Sequence, residues 1–187
     1  MPPFTLKTNR LILRQWQDSD LIDFAAMNAN PDVMAHFPAL LTAEESNALA
    51  EKCRELITKH GWGIWATQLK ATEEFIGFIG LHAPKANLPF SPCIEIAWRL
   101  SPQYWGHGYA TEGANACLQF AFEQLNLTEV VAFTTTTNKS SQAVMERIGM
   151  INTGKNFMHP DIPRNHPLSE HVLYSIMKQE WNQQTST

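Results

Sequence analysis

The spacing of hydrophobic and polar positions changes several times along the chain. Residues 10–16 (RLILRQW) alternate and are rich in branched side chains, which is typical of a strand. Residues 18–30 carry apolar positions at helical spacing, with Asp18 as a candidate N-cap. In residues 42–60, which also have helical spacing, Glu45 follows Thr42 by three positions, as in a capping box. The chain therefore opens as a strand and two helices.

The remainder alternates between strand-like and helix-like segments. Three strand-like segments occupy 61–69, 74–83 and 93–100 and suggest an antiparallel meander, with a proline-containing loop at 85–92. They are followed by a helix at 108–125, a strand at 129–137, a helix at 138–148 and strands at 150–157 and 171–178. The polar tail, 182–187 (NQQTST), is expected to fray. This order predicts an α/β (α+β) fold with one central sheet.

The composition limits the number of domains, the classes of partner and the location that we expect for this protein. A chain of 187 residues with 44% hydrophobic residues is long enough for one packed domain, 1–187. The net charge is −4 and no lysine or arginine run occurs, so a nucleic-acid partner is not expected. No apolar run approaches the roughly 20 residues of a spanning helix, so we expect no membrane span. Three cysteines without CxxC spacing and a start without an apolar segment favour the cytoplasm.

A glycine loop separates a strand from a helix at residues 98–113 (WRLSPQYWGHGYATEG). Gly106 and Gly108 permit close backbone approach or positive φ, and the N–H groups at a helix start can bind phosphate oxygens. The segment lacks the Gly-Lys-Ser/Thr of a P-loop and the third glycine of the dinucleotide fingerprint. Taken alone, it fits a phosphate site or a tight turn without a ligand.

A second motif, NKSSQAVMERIGM at 138–150, predicts a helix capped by Asn138 and ended by Gly149. Together with TNRLILR near the start, EIAWRLSPQYWGHGYATEG in the centre and HVLYSIMKQEW near the end, it resembles the GNAT superfamily of acyl-CoA-dependent N-acetyltransferases. The resemblance is to the branch that contains ribosomal-protein N-terminal acetyltransferases. It covers nearly the whole chain, and four motifs in order are more specific than either central motif alone.

The resemblance implies a GNAT fold: a mixed, mostly antiparallel sheet flanked by helices, with a V-shaped splay between two parallel strands. It implies acetyl-CoA as cosubstrate, with the pyrophosphate on the loop amides and the pantetheine arm along the splayed strand and beside the next helix. Trp105 stands where the family usually has Gln or Arg. Its side chain keeps an N–H group, and whether that group contributes to phosphate binding stays open. The implied cofactor-binding residues are Ala97, Trp98, Arg99, Leu100, Trp105, Gly106, His107, Gly108, Tyr109, Ala110, Asn138 and Ser141.

Catalysis requires a neutral amine, and an acid for the departing thiolate would assist it. The tyrosine acid frequent in the family would fall at Met145, which cannot donate a proton. Glu95 is the only carboxylate of strand 93–100 and is either a general base, acting directly or through water, or a solvent-facing residue. Ser141 would hydrogen-bond the leaving sulfur or merely cap its helix.

A histidine-rich loop at 156–171 contains His159, Asp161, His166 and His171. Their spacings match no zinc signature, so we expect an acceptor-pocket lining and no metal. Four aromatic residues are candidates for the same pocket wall or for the core: Trp16, Phe37, Trp62 and Trp65.

The sequence therefore predicts an N-acetyltransferase that passes the acetyl group of acetyl-CoA to a primary amine by direct transfer in a ternary complex. The acceptor is a protein N-terminus or a small molecule such as a polyamine, an amino acid or an antibiotic. The alternative is a non-catalytic acyl-CoA-binding sensor, which the methionine at position 145 keeps open. A monomer and a homodimer both remain open.

Overall fold

Nine strands form one sheet in this computed structural model, which describes residues 2–185. The strands are β1 (Leu6–Lys7), β2 (Leu11–Arg14), β3 (Ile64–Leu69), β4 (Phe75–His82), β5 (Glu95–Leu100), β6 (Glu129–Thr135), β7 (Ile151–Asn152), β8 (Phe157–Met158) and β9 (Glu170–Met177). Their order is β1-β2-β3-β4-β5-β6-β9-β7, and β8 also pairs with β9. The pairs are antiparallel except for β5 with β6, which are parallel.

Five α-helices flank this sheet within the described residues: α1 (Asp20–Asn28), α2 (Ala43–His60), α3 (Tyr109–Glu123), α4 (Lys139–Arg147) and α5 (Lys178–Thr185). A short 3₁₀ helix, Pro102–Tyr104, precedes the glycine loop. None of the helices that the structure describes combines the length and apolar character needed to cross a membrane. The predicted mixed α/β fold with a central, mostly antiparallel sheet is confirmed.

Several predicted boundaries were wrong for local reasons. The predicted strand at 150–157 divides into β7 and β8, because Gly154 at φ +69° turns the chain between them. Most of the tail predicted to fray belongs to α5, which runs to Thr185; the last two residues, 186–187, lie outside the described part. Asp18 does not cap α1; its carboxylate accepts from Arg54 Nη2 at 2.7 Å.

The caps of α2 follow the sequence prediction closely. The Thr42 hydroxyl accepts from the backbone N–H of Glu45 at 3.2 Å, and the Glu45 carboxylate accepts from the N–H of Thr42 at 2.8 Å. Gly61 ends the helix in the left-handed region at φ +82°, where glycine has no side chain to strain. The reciprocal box holds the start of α2 in place beneath the segment that follows α1.

The two parallel strands β5 and β6 separate soon after they meet. Their register contains one pair, Glu95 with Val131, and the Val131 N–H donates to the carbonyl of Ile94 at 3.0 Å. Beyond that pair β5 stays bonded to β4 as far as Leu100, whereas β6 stays bonded to β9 as far as Thr135. The C-terminal halves therefore diverge and leave a V-shaped opening, as the resemblance implied.

Two hydrophobic clusters pack against the sheet. The larger includes the most deeply buried aromatic side chains, among them Trp65, Phe24 and Phe122. The smaller consists of Leu88, Val131, Phe157 and Leu173 on the face of β6 and β9. This second cluster closes one side of the V, so the opening has an apolar wall.

Two of the four aromatic residues considered for a pocket wall belong to the core. Trp16 and Trp65 are buried, and their indole N–H groups donate to the carbonyls of Ile64 and Phe4 at 2.8 and 2.9 Å. Trp62 is partly buried against the larger cluster. Phe37 is 41% exposed. The pocket-wall interpretation was therefore wrong for Trp16 and Trp65, and it stays a prediction for Phe37 and Trp62.

Candidate active site

The glycine loop presents a row of free backbone amides. Gly106 and Gly108 adopt φ +77° and +79°, which L side chains rarely adopt, and α3 begins immediately after Gly108. Within residues 2–185, the N–H groups from Gly106 to Thr111 have no hydrogen-bond acceptor. Because these amides lie at the positive end of the α3 dipole, the geometry suits a phosphate group.

Residues from the other end of the chain hold this loop in shape. Arg10 Nη1 donates to the carbonyl of His107 at 3.0 Å, and Arg10 Nε bonds Glu112 Oε2 at 2.6 Å. Thr8 Oγ1 donates to Glu112 Oε1 at 2.5 Å. The Arg10 guanidinium also lies 4.5 Å from the centre of the Tyr109 ring. These contacts join the turn between β1 and β2, the glycine loop and the first turn of α3.

The charge state of Glu112 is consistent with this structural role. Partial burial acts to raise the pKa of Glu112, but hydrogen bonds from Thr8 and Arg10 outweigh burial, so the pKa lies below its ordinary value. Glu112 is therefore an ionised support of the loop at neutral pH. Sequence reasoning missed this support, because about a hundred residues separate Glu112 from Thr8 and Arg10.

Trp105 does not offer its indole N–H to a ligand here. Trp105 Nε1 donates to the carbonyl of Leu100 at 2.7 Å, although 48% of the residue is exposed. The ring thus ties the loop to the end of β5. Its side-chain N–H does not replace the Gln or Arg of the family loop. Its backbone N–H donates to the carbonyl of Pro102 at 3.0 Å, so neither N–H group of Trp105 is free for a phosphate.

The start of α4 is organised around Asn138. Asn138 Oδ1 accepts from the N–H of Ser141 at 3.2 Å and from the hydroxyl of Ser140 at 2.9 Å. Asn138 Nδ2 donates to Thr134 Oγ1 at 2.9 Å and to Ser141 Oγ at 3.1 Å. Asn138 is therefore the N-cap, as predicted, and it joins α4 to the last part of β6.

Ser141 is oriented by this cap and does not provide it. Its backbone N–H and its Oγ both bond Asn138, so the interpretation of Ser141 as the capping residue was wrong. Its hydroxyl hydrogen has no acceptor within the described residues and can donate to a ligand. Met145, one turn further along, is 2% exposed and belongs to the core. The position of the family tyrosine thus carries a packing residue.

Glu95 lies at the closed end of the V. It is 8% exposed, and its Oε2 lies 3.0 Å from Nε2 of His82, its register partner on β4. The solvent-facing alternative for Glu95 was therefore wrong. Glu95 Oε1 has no hydrogen-bond partner in the part of the chain that the structure describes. Sequence reasoning missed His82, since pairing across strands decides its proximity.

The strand beyond Glu95 borders the opening along its whole length. Residues 97–100 pair with β4 on one side only, and in a strand alternate backbone groups point to the opposite side. That unpaired edge faces the gap toward β6. It supplies backbone donors and acceptors where the resemblance places the pantetheine arm and the acetyl carbonyl.

The cysteines are poor nucleophiles. Burial, together with the negative charges of Glu95 and Glu129, raises the pKa of the Cys93 thiol to about 11. Burial raises the pKa of Cys53 to about 12, and burial also raises the pKa of Cys117. All three are protonated thiols at neutral pH, whereas the thiolate is the attacking species.

The histidine-rich loop contributes two of its four candidates to the opening. The rings of His159 and His171 lie 5.1 Å apart and pack against Phe133 and Phe157. Burial lowers the pKa of His171 despite a backbone hydrogen bond with Ser169. No group of three or more His, Cys, Asp or Glu residues that could hold a metal ion occurs in residues 2–185.

The other two candidates of that loop stabilise turns. His166 Nδ1 accepts from the N–H of Leu168 at 3.1 Å. The N–H of Asp161 donates to His159 Nδ1 at 3.2 Å, which orients the ring of His159. Asp161 and His166 therefore shape the loop, and only the two histidines nearest the β-strands lie against the aromatic wall.

The segment after α1 crosses the mouth of the V. His36 Nδ1 lies 3.2 Å from Thr135 Oγ1 on β6, while the ring of Phe37 lies 4.1 Å from the Arg99 guanidinium on β5. Burial lowers the pKa of His36, which favours the neutral ring. This pair of neighbouring residues connects the two splayed strands and borders the opening on the face of Glu95.

An opening between splayed parallel strands, beside an amide-lined loop at a helix start, defines an acyl-CoA-dependent acyltransferase. The family model described as acetyltransferase (GNAT) domain matches residues 10–151. The chain belongs to the GNAT acetyltransferase family, and the class of enzyme is an acetyl-CoA-dependent acyltransferase.

Relatives and solved structures agree with this assignment. The chain is 38% identical over 125 residues to FsC-acetyl coenzyme A-N(2)-transacetylase of Aspergillus fumigatus, a match that covers 65% of this chain and 52% of that relative. The acetyltransferase (GNAT family) from Bacillus anthracis superposes with a TM-score of 0.78 at 25% identity and covers 94% of this chain and 99% of its own.

The predicted likeness to ribosomal-protein acetyltransferases is also found in a solved structure. The ribosomal-protein-S5-alanine acetyltransferase from Vibrio fischeri superposes with a TM-score of 0.71, covering 95% of this chain and 98% of its own. At 18% identity this likeness concerns the fold alone.

Proposed function

We propose that this protein transfers the acetyl group of acetyl-CoA directly to the primary amine of an acceptor bound on the other side of the V. The observation that carries this proposal is Glu95, a buried carboxylate at the closed end of the opening with one oxygen bonded to His82 and the other free. A general base must lie within hydrogen-bond reach of the amine or of a bridging water, and Glu95 Oε1 is available for either role.

The reaction needs one bond to form and one to break. The neutral amine attacks the thioester carbonyl, the nitrogen–carbon bond forms, and the carbon–sulfur bond then breaks to release the coenzyme A thiolate. Glu95 takes the proton that the amine loses, directly or through water. With a packing methionine at position 145, the hydroxyl of Ser141 is the group on α4 that is oriented to hydrogen-bond the departing sulfur.

The state of the cysteines supports direct transfer over an acyl-enzyme intermediate. An acyl-enzyme route through cysteine would need an activated thiolate, whereas burial holds the thiol of Cys93, the cysteine nearest Glu95 in sequence, protonated. Acetyl-CoA and acceptor would therefore occupy the site together.

We assign the cosubstrate to two sets of residues. The free amides of the loop from Gly106 to Ala110 would bind the pyrophosphate, with Trp105 holding the start of the loop, and the free edge of β5 from Ala97 to Leu100 would receive the pantetheine arm and the acetyl carbonyl. Asn138 and Ser141 would lie beside the thiol end. The free amides and the unpaired strand edge support this assignment.

The acceptor is a primary amine of a small molecule or of a protein N-terminus. The alternative of a non-catalytic acyl-CoA sensor is supported by the methionine at the family tyrosine position. Release of free thiol from acetyl-CoA in the presence of an amine panel separates the two, because a sensor would bind the thioester without turnover.

Glu95→Gln tests the proposed base. Glutamine keeps the shape of the side chain but cannot accept the proton, so we expect kcat/KM to fall by about 100- to 10,000-fold and the acidic limb of the pH profile to flatten. Glu129→Gln is the matched control, since Glu129 is an exposed glutamate at the start of β6. Full activity of the Glu95 variant at all pH values, with acetyl-CoA saturating, would assign Glu95 a structural role.

A further inference from the structure

Arg99, near the C-terminal end of β5, carries a partly buried guanidinium. Its Nη1 donates to Asn28 Oδ1 at 2.6 Å, and its guanidinium lies 4.1 Å from the ring centre of Phe37 and 5.3 Å from that of Phe78. Its Nε is buried and has no hydrogen-bond partner in the described residues. The head group is therefore held firmly, while part of its donor capacity is unused.

The other arginines near structured elements have carboxylate partners. Arg14 bonds Asp20 through two nitrogens at 2.7 and 2.8 Å, Arg10 bonds Glu112, and Arg54 bonds Asp18 and Glu51. Arg147 and Arg164 are exposed. Among residues 2–185, Arg99 is the arginine that combines a buried guanidinium nitrogen with no carboxylate within 4 Å.

A buried charge without an opposite charge is unfavourable, and proteins usually pair it. The amide of Asn28 does not supply the missing charge; its Nδ2 donates to Ser46 Oγ at 2.8 Å, so the amide is fixed and neutral. Desolvation accordingly lowers the pKa of Arg99 to about 10, which still leaves the guanidinium protonated at neutral pH. A bound anion would remove this imbalance.

The position of Arg99 indicates which ligand would bring that anion. Arg99 lies on the same face of β5 as Glu95, since side chains four apart in a strand share a face, at a Cα separation of about 13 Å. Phe37 joins it to the segment that crosses the V and reaches Thr135. The glycine loop follows the same end of β5, where the Trp105 indole N–H donates to the carbonyl of Leu100 at 2.7 Å, and within the described residues the loop has its own free amides for a phosphate.

We propose that Arg99 binds a carboxylate of the acceptor, so that the acceptor class is an amino-carboxylate such as an amino acid or a short peptide. This inference rests on the acetyl transfer proposed above. Arginine is suited to the task because its planar fork donates two parallel hydrogen bonds to a carboxylate. Glu95 would receive the amine proton, and Arg99 would hold the carboxylate at the opposite end of the acceptor. Polyamines are then excluded as acceptors, because they have no carboxylate and carry positive charges.

The test compares acceptors that have a C-terminal carboxylate with the same acceptors as C-terminal amides, at a pH where the amines of both are largely neutral. Glycine, glycylglycine and triglycine are assayed beside their C-terminal amides by release of coenzyme A thiol. We expect kcat/KM to favour at least one acid over its amide by about 10- to 100-fold, the range for hydrogen bonds to a charged group. Arg99→Gln should abolish that preference by slowing the acids, whereas Arg147→Gln, which changes an exposed arginine of α4, should retain it.

Two further measurements distinguish an acceptor carboxylate from a coenzyme A phosphate as the anion that Arg99 binds, and the effect of the charge from that of the fork geometry. The affinity for coenzyme A should be the same in Arg99→Gln and in the unchanged protein; a loss confined to coenzyme A would overturn the proposal in favour of a phosphate contact. Arg99→Lys keeps the charge but loses the fork, so it should restore only part of the preference.

A binding measurement does not depend on turnover. In the unchanged protein saturated with coenzyme A, the Nε–H resonance of Arg99, assigned by its absence in Arg99→Lys, should shift with glycylglycine and not with glycylglycinamide. Absence of a shift with all three acids, or equal shifts with the amides, would overturn the carboxylate site. Absence of thiol release with a clear shift would instead contradict the proposed acetyl transfer.

Discussion

Gly106→Ala should weaken coenzyme A binding far more than it destabilises the fold. Gly106 has φ +77°, and a Cβ built at this residue meets no atom within 4 Å. The folding penalty is therefore restricted to placing an L residue in the left-handed region, about 1–2 kcal/mol. In a domain of this size that corresponds to a fall in Tm of roughly 2–8 °C.

The same Cβ would occupy open space next to the free amides and restrict how closely a phosphate can approach them. A phosphate oxygen that loses one hydrogen bond of a charged type forfeits about 1.5–3 kcal/mol, so Kd should rise by roughly 10- to 100-fold. Isothermal titration with coenzyme A measures this change, and thermal unfolding without ligand measures the strain. Gly108 is less suitable, because a Cβ there would contact Arg10 Nη2 at 3.6 Å, so that an effect on the loop amides could not be separated from an effect on Arg10.

Gly154→Ala is the matched control for this experiment. Gly154 also has positive φ, +69°, and a Cβ there also meets nothing within 4 Å, but it lies in the turn between β7 and β8. Both variants should lose similar stability, and only Gly106→Ala should lose affinity. If Gly106→Ala is folded and binds coenzyme A as tightly as Gly154→Ala does, the loop amides do not hold the pyrophosphate and the assignment is refuted.

Two further predictions concern catalysis and pH. Ser141→Ala should lower kcat by less than Glu95→Gln does, because coenzyme A is a fair leaving group; a larger loss in Ser141→Ala, measured by thiol release, would reverse the two roles. Burial lowers the pKa of His36 and His171 below the ordinary pKa of histidine, so as the pH falls the unfolded chain takes up protons first and stability should decline below about pH 6.5. His36→Gln should make that decline shallower in urea unfolding, and an unchanged slope would contradict a buried neutral His36.

The elements with strong local signals were predictable from sequence. The capping box of α2 needs only Thr42 and Glu45, three positions apart, and the structure forms both of its hydrogen bonds. Asn138 and Gly149 delimit α4 for the same reason, since an N-cap and a left-handed glycine act within one turn. Signals of this kind do not depend on what packs against the helix.

Short strands and side-chain partners were less predictable, because tertiary pairing decides them. Two-residue strands such as β1 and β8 have no period to detect and exist only because β2 and β9 pair with them. Glu95 was identified as a candidate base from its isolation among apolar neighbours. Its burial and its contact with His82 follow from the β4–β5 register, which the sequence does not state.

The charge environment of Arg99 was also not predictable from sequence. The sequence places it in the strand along the cosubstrate, where the resemblance assigns a role to its backbone. Whether its charge has a partner depends on Asn28 and Phe37, which lie some sixty to seventy positions earlier and reach it through the packing of α1. The lack of a carboxylate near the Arg99 guanidinium can be recognised only when the positions of the surrounding side chains are known.

The physical connection between two of the motifs explains why their joint presence is informative. TNRLILR supplies Thr8 and Arg10, and the central motif supplies Glu112, and these three side chains form one hydrogen-bonded cluster under the glycine loop. A glycine pair alone leaves the loop free to adopt many conformations, because glycine loses the most backbone entropy on ordering. The ionised carboxylate of Glu112 fixes Arg10, and Arg10 fixes the carbonyl of His107, so the N-terminal segment orders amides that lie about a hundred positions away. The conformation of the glycine loop therefore depends on two distant segments, and either motif without the other would lack the contacts that order the loop amides.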